Sequence, residues 1–97
     1  MKNSEEIKKL LREYMPELEE KFKVKQLWIF GSYSRGEQKK SSDLDLLVEF
    51  SETPGLFKFI DLEDFLTDKL GIKTELVTKD ALKPRIKDKI LNEAQYT

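Results

Sequence analysis

Two short runs of nearly unbroken hydrophobicity, Leu27-Trp28-Ile29-Phe30 and Leu44 to Val48, sit at the centre of the chain and limit what it can fold into. Each is too short for a core helix and is bounded by turn-forming residues, so each reads as a buried strand. The first, from about Lys25 to Phe30, stops at Gly31-Ser32. The second, from about Asp43 to Phe50, carries a lone acid, Asp45, inside its apolar run. Residues i and i+2 of a strand share a face, so Asp43 and Asp45 are expected to project side by side near the Gly-Ser turn. Neighbouring anions repel, and a fold tolerates them most easily with a cation between them. Hard oxygen ligands of this kind suit Mg²⁺ or Mn²⁺. Glycine at position 31 lets backbone N–H groups come close to a phosphate. The pattern describes a metal-dependent site that handles nucleotides.

Composition narrows the chemistry further. Ninety-seven residues make one small domain with a compact core. Hydrophobic and charged residues each make up 38% of the chain, and the net charge is −1. A polymer nucleic-acid binder usually carries a basic excess, which this chain lacks. No apolar run approaches 18 residues, and the charged, amphipathic start does not read as a signal peptide. There is no cysteine, hence no disulfide or thiolate chemistry, which suits a cytoplasmic location. There is also no histidine. That removes the commonest general base, the Ser-His-Asp triad and the commonest zinc ligand. Catalysis has to rest on carboxylates, hydroxyls, Lys or Arg, and bound metal. The high Lys and Glu content suits growth at high temperature.

Around the two strands the pattern is helical. A first helix begins near Asn3, with Glu6 as capping-box partner and Ile7, Leu10, Leu11, Tyr14, Leu18 and Phe22 as its apolar stripe. Pro16 is expected to break or kink it and to start a second short helix. A short helix from the Gly31-Ser32 turn through Arg35 ends at Gly36, and a polar loop runs from Glu37 to Ser42. Pro54-Gly55 marks a turn before a helix from Leu56 to Leu70, which Gly71 ends. A third strand covers about Lys73 to Val77. A last helix places Leu82, Ile86, Ile90 and Ala94 on one face, its main part beginning at Pro84. The class is α+β with elements in alternating α/β order, helices packed on a small sheet. The link between the first two strands holds too little helix for a parallel crossover, so the sheet is expected to be mixed.

The segment Gly31-Ser32-x-x-Arg35-Gly36-x5-Ser42-Asp43-x-Asp45-Leu46-Leu47-Val48 resembles the signature of the DNA polymerase beta-type nucleotidyltransferase superfamily. Its length, and the ending from Lys83-Pro84-Arg85 to Ala94-x-Tyr96, resemble the minimal nucleotidyltransferases that are paired with HEPN-domain toxins. The resemblance implies a nucleotidyltransferase-like fold, ATP as substrate, two Mg²⁺ ions and a HEPN toxin partner silenced by AMP transfer to a tyrosine. It implies that Asp43, Asp45 and a third carboxylate hold metal. The family usually has Asp in that third place, on the next strand. Here the matching residue is Glu75, one methylene longer. Ser32 and the N–H groups after Gly31 fit the triphosphate. Arg35 fits either the loop or the leaving group, and Ser42 either a phosphate or a loop cap. Little chain remains for an acceptor-binding module, so a second protein is expected to supply the acceptor in a hetero-oligomer. Two other functions stay open: a non-catalytic module that neutralises its partner sterically, which the unusual Glu75 favours, and a transferase acting on small molecules. Lys79, Lys83, Arg85, Lys87 and Lys89, like Lys39-Lys40, read as solvated charge. Trp28 and Phe30 read as core.

Overall fold

The computed structural model describes residues 3–39, 42–81 and 95–96. Helix α1 spans Ser4–Phe22. The Asn3 Oδ1 accepts the Glu6 N–H at 2.9 Å, which satisfies one of the donors every helix start leaves open. The helix runs unbroken through Pro16, contrary to the expected break. Pro16 is exposed, so the carbonyl that loses its partner faces water, while buried Leu11 and Leu18 on either side hold the helix to the core. Lys23 ends it in the left-handed region, with φ 58°, and its N–H donates to the Leu18 carbonyl.

Strand β1 is Val24–Phe30, and a 3-10 turn at Gly31–Tyr33 leads into the loop before β2, Leu44–Phe50. Helix α2 is Leu56–Leu70, closed by Gly71 at φ 69°. Strand β3 is Thr74–Thr78 and a second 3-10 turn covers Lys79–Ala81. A two-residue strand β4, Gln95–Tyr96, was not anticipated; it pairs antiparallel with Trp28 and Ile29. The anticipated last helix lies outside the described residues.

The sheet order is β3-β2-β1-β4, with β1 and β2 antiparallel and β2 and β3 parallel. The sheet is therefore mixed, as expected. A bulge at Lys25, between Val24 and Gln26, shifts the strand's alternation. That shift lets Val24, Leu27 and Ile29 all face the same core.

The core lies on one face of the sheet. Leu27, Ile29, Leu44, Leu46 and Val48 pack there against Ile7, Leu11 and Leu18 of α1 and Leu62, Leu66 and Leu70 of α2. Burying each such side chain contributes roughly 1.5–3 kcal/mol before entropy is charged against it. Trp28 and Phe30 do not join this core. They alternate with Leu27 and Ile29, and they stand half-buried on the opposite face, where the Lys79 ammonium lies 5.3 Å from the Trp28 ring centre. Asp45 and the fully buried Leu47 alternate onto this second face too.

Helix α2 also seals the sheet edge. Thr67 Oγ1 accepts the Thr74 N–H at 3.0 Å, and Glu63 Oε2 accepts the Leu76 N–H at 3.1 Å. Positions i and i+4 of a helix advance about 6 Å, close to the advance of i to i+2 on a strand. The matching rises let one helix face serve two successive outward donors of β3, which would otherwise invite another strand.

Candidate active site

Asp45 stands near the start of the central strand β2, opposite Phe30 of β1 on one side and Glu75 of β3 on the other. Residues in register on neighbouring strands have Cβ atoms about 4.5–5.5 Å apart and point to the same face. Asp45 and Glu75 therefore share the face away from the two helices. Asp43 precedes β2 rather than lying in it, so the shared-face expectation does not apply to it as drawn. Its proximity shows in its electrostatic effects. The Asp45 carboxyl is raised above its ordinary range by burial first, then by the negative charges of Glu75 and Asp43, while Arg35 acts in the opposite sense. The Tyr33 hydroxyl is raised as well, by burial and by Asp43. Three carboxylates and one guanidinium thus act on a single place.

The Gly31 turn builds the wall of that place. Gly31 has φ 73°, where a side chain is strained. A Cβ there would collide with Asp45 Oδ2 and lie 3.3 Å from Asp45 Cγ. The carboxylate is thus seated directly against the glycine backbone. The Ser34 and Arg35 N–H groups donate to the Gly31 carbonyl at 3.2 and 3.3 Å, and the Glu37 N–H donates to the Ser32 carbonyl at 2.9 Å. The Ser34 hydroxyl also donates to the Gly31 carbonyl, at 2.9 Å. These bonds consume the donors at the back of the turn. The donors at its front, Ser32 and Tyr33 N–H, are the ones the turn does not use internally. The expected helix through Arg35 is only this 3-10 turn, because Gly31 and Gly36 both take left-handed angles.

The two residues with open readings both have partners in the loop. Arg35 Nε pairs with Glu37 Oε2 at 3.0 Å and also bears electrostatically on Asp45, so it links the loop to the carboxylates. Ser42 has loop partners: its Oγ accepts the Lys39 N–H at 2.8 Å and its own N–H donates to the Lys39 carbonyl at 2.9 Å. Glu75 is exposed at the open side of the group.

As donors, Asp43, Asp45 and Glu75 fit Mg²⁺: they are hard, accept only, and repel one another. Among the described residues no three of His, Cys, Asp and Glu close around one point. Mg²⁺ is commonly held by one or two carboxylates with substrate phosphates and water completing its shell, and this group matches that mode.

Two neighbours were missed from the sequence. Tyr33 is buried beside Asp43, although an aromatic in a Gly-Ser turn carries no signal of its own. Lys79, which reads from the sequence as solvated charge, lies over Trp28 and pairs with Glu49 at 3.5 Å. Lys83, Arg85, Lys87, Lys89 and Lys40 lie outside the described residues.

The nucleotidyltransferase domain model matches residues 11–97. The chain belongs to the nucleotidyltransferase family. A relative from Methanocaldococcus jannaschii, named provisionally as a protein adenylyltransferase, is 54% identical over 97 residues, 99% of each chain. The protein adenylyltransferase MntA of Thermococcus cleftensis is 47% identical over 92 residues, covering 95% of this chain and 93% of its own. A solved structure described provisionally as a minimal nucleotidyltransferase superposes with a TM-score of 0.77 at 35% identity, covering 92% of this nucleotidyltransferase and 91% of the other chain. A toxin–antitoxin structure with AMP-PNP superposes with a TM-score of 0.71 at 26% identity, over 98% of this chain and 72% of that one. The resemblance to minimal nucleotidyltransferases and the fold it implied are both correct. No helix among the described residues is long and apolar enough to cross a membrane.

Proposed function

We propose that this nucleotidyltransferase moves AMP from ATP to a tyrosine hydroxyl of a HEPN toxin partner and acts as its antitoxin, in the cytoplasm and with Mg²⁺. The observation that carries the reading is Asp45, paired in register with Glu75, charge-coupled to Asp43 and seated against the Gly31 turn. Relatives named as protein adenylyltransferases and a neighbour solved as a toxin–antitoxin with AMP-PNP support it.

The acceptor oxygen forms a bond to the α-phosphorus while the bond to the β-phosphate bridging oxygen breaks, and pyrophosphate leaves. Ser32 and the front N–H groups of the turn hold the β- and γ-phosphates. Arg35, whose charge reaches Asp45, would offset charge on the leaving group. Asp43, Asp45 and Glu75 would hold Mg²⁺, and Mn²⁺ could replace it. When bound, the metal supplies charge neutralisation at the entering and leaving oxygens. Glu75 is exposed, so a hydroxyl brought by another protein can reach it, and its carboxylate takes that hydroxyl's proton as the bond to phosphorus forms.

The test is incubation with labelled ATP, Mg²⁺ and the HEPN partner, followed by mass spectrometry. A gain of one or more AMP units on a partner tyrosine is expected. Partner inhibition without any mass gain would overturn the enzymatic reading in favour of steric neutralisation.

A further inference from the structure

Helix α2 carries an outward face that its own fold does not use. Phe57 is 83% exposed and Ile60 43%, and beside them Leu56 is 71% exposed. Spaced along the same face come Asp61, Asp64 and Asp68, all exposed. Among the described residues no cation pairs with these three. The helix's lysines are turned elsewhere: Lys58 lies 5.0 Å from the Phe22 ring centre and Lys69 lies 5.7 Å from that of Phe65, both on the flank toward α1. The outward face is thus an apolar end continued by an unmixed acidic row.

The row does not serve the helix. Aspartate is a weak helix former, and acids favour the first turn, where α2 has none. Large exposed aromatics likewise add nothing to an isolated domain. Both features gain a purpose only against a complement.

We propose that this face docks a helix of the protein partner, one bearing large apolar side chains followed by Lys or Arg. This deepens the HEPN-partner reading and rests on it. Charge complementarity selects the occupant. A nucleic acid would meet its own sign on the Asp row. A second copy fares no better: parallel α2 helices would set acid against acid, and antiparallel ones would set Phe57 against the acids. An added strand finds the β3 edge beside this helix already served, because Thr67 and Glu63 accept the Thr74 and Leu76 N–H groups. A helix laid along α2 suits the i, i+3/i+4 spacing of the exposed row.

The location has a consequence. The inner residues of α2 pack on the core face of the sheet, whereas Asp45 and Glu75 face the other way. Holding the partner and modifying it are therefore separate acts, and the complex should persist after AMP transfer.

The test measures the affinity of the full chain for the HEPN partner by calorimetry at low and high salt. Phe57→Ser with Ile60→Ser should weaken binding about 30-fold or more, the scale of an interface hot spot. Asp61→Asn, Asp64→Asn and Asp68→Asn together should flatten the salt dependence of association. ATP affinity should not change in either variant. If wild type binds and is active on the partner while both variants bind as tightly, with the same salt dependence, this inference alone falls. If wild type forms no complex, the functional reading falls and takes this one with it. Self-association of wild type that Phe57→Ser abolishes would overturn it in favour of a second copy.

Discussion

Gly31 and Gly36 offer a controlled comparison inside one loop. Both have left-handed angles, φ 73° and 69°. A Cβ on Gly36 meets nothing within 4 Å, whereas one on Gly31 collides with the Asp45 carboxylate. Alanine at either place costs about 1–2 kcal/mol of backbone strain, offset by roughly 0.4–1 kcal/mol because the unfolded chain becomes stiffer. Gly36→Ala should therefore cost about 1 kcal/mol. Gly31→Ala must in addition move Asp45 off its rotamer, for a further 0.5–1.5 kcal/mol or so. Each kcal/mol lowers Tm by about 4–8 °C in a domain of this size.

Thermal unfolding by circular dichroism should then place Gly31→Ala several degrees below Gly36→Ala. Asp45→Ala removes the colliding oxygen and Cγ and leaves only a Cβ at an ordinary 3.4 Å. In that background the excess cost of Gly31→Ala should vanish, a coupling of about 1 kcal/mol. Folded Gly31→Ala should also lose AMP transfer by about 10²-fold, since a displacement near 1 Å suffices for that. Equal Tm values for the two glycine variants, or no coupling to Asp45, would refute the close seating of the carboxylate. Because the same Cβ both strains the backbone and displaces Asp45, Gly31→Val is expected to cost stability as well as nucleotide affinity.

Four further outcomes are expected. The raised Asp45 carboxyl binds its proton more readily folded than unfolded, so its penalty is full at neutral pH and fades as pH falls through the folded pKa. Asp45→Asn should raise Tm of the metal-free protein at pH 7, and the gain should vanish below about pH 4, where aspartate is protonated in both states. Asp43→Asn with Asp45→Asn should abolish Mg²⁺-dependent strengthening of ATP binding, read by calorimetry. Glu75→Gln should cut AMP transfer roughly 10²-fold while Glu75→Asp retains it, read by partner mass. Glu63→Ala, which strips the acceptor from the Leu76 N–H, should cost about 1 kcal/mol in urea unfolding.

Much of this was legible because the informative residues act locally. The apolar runs gave β1 and β2 to within a residue, and Leu56 to Leu70 matched α2 at both ends. Gly31 and Asp45 were singled out from spacing alone, and they prove to touch through the fold. What was not legible depended on partners distant in the chain. Pro16 looks like a break until Leu11 and Leu18 are seen gripping the core. Trp28 looks like core because hydrophobicity does not say which face of a strand is covered. The bulge at Lys25 leaves no mark in composition, yet it sets the parity of the whole strand. The β4 pair with Trp28 and Ile29 joins residues about two thirds of the chain's length apart, which no local pattern encodes.

The position of Glu75 bears on why a longer acid can stand where the family resemblance leads one to expect aspartate. It lies on β3, the outer strand, and is exposed, whereas Asp45 lies on the central strand and is pressed against Gly31. A side chain with free space around it can take up an extra methylene by changing rotamer; one wedged against backbone cannot. Exchanging the acid for its one-methylene neighbour should then have different results at the two sites. Asp45→Glu would drive a methylene into the Gly31 turn and should lower both stability and AMP transfer. Glu75→Asp shortens an arm that is not packed and should leave Tm within about 1–2 °C, as surface changes usually do. Thermal unfolding and partner mass on the two single variants decide it. Equal loss of AMP transfer in both would mean that Glu75 is held as rigidly as Asp45, and that its length is a requirement of this site.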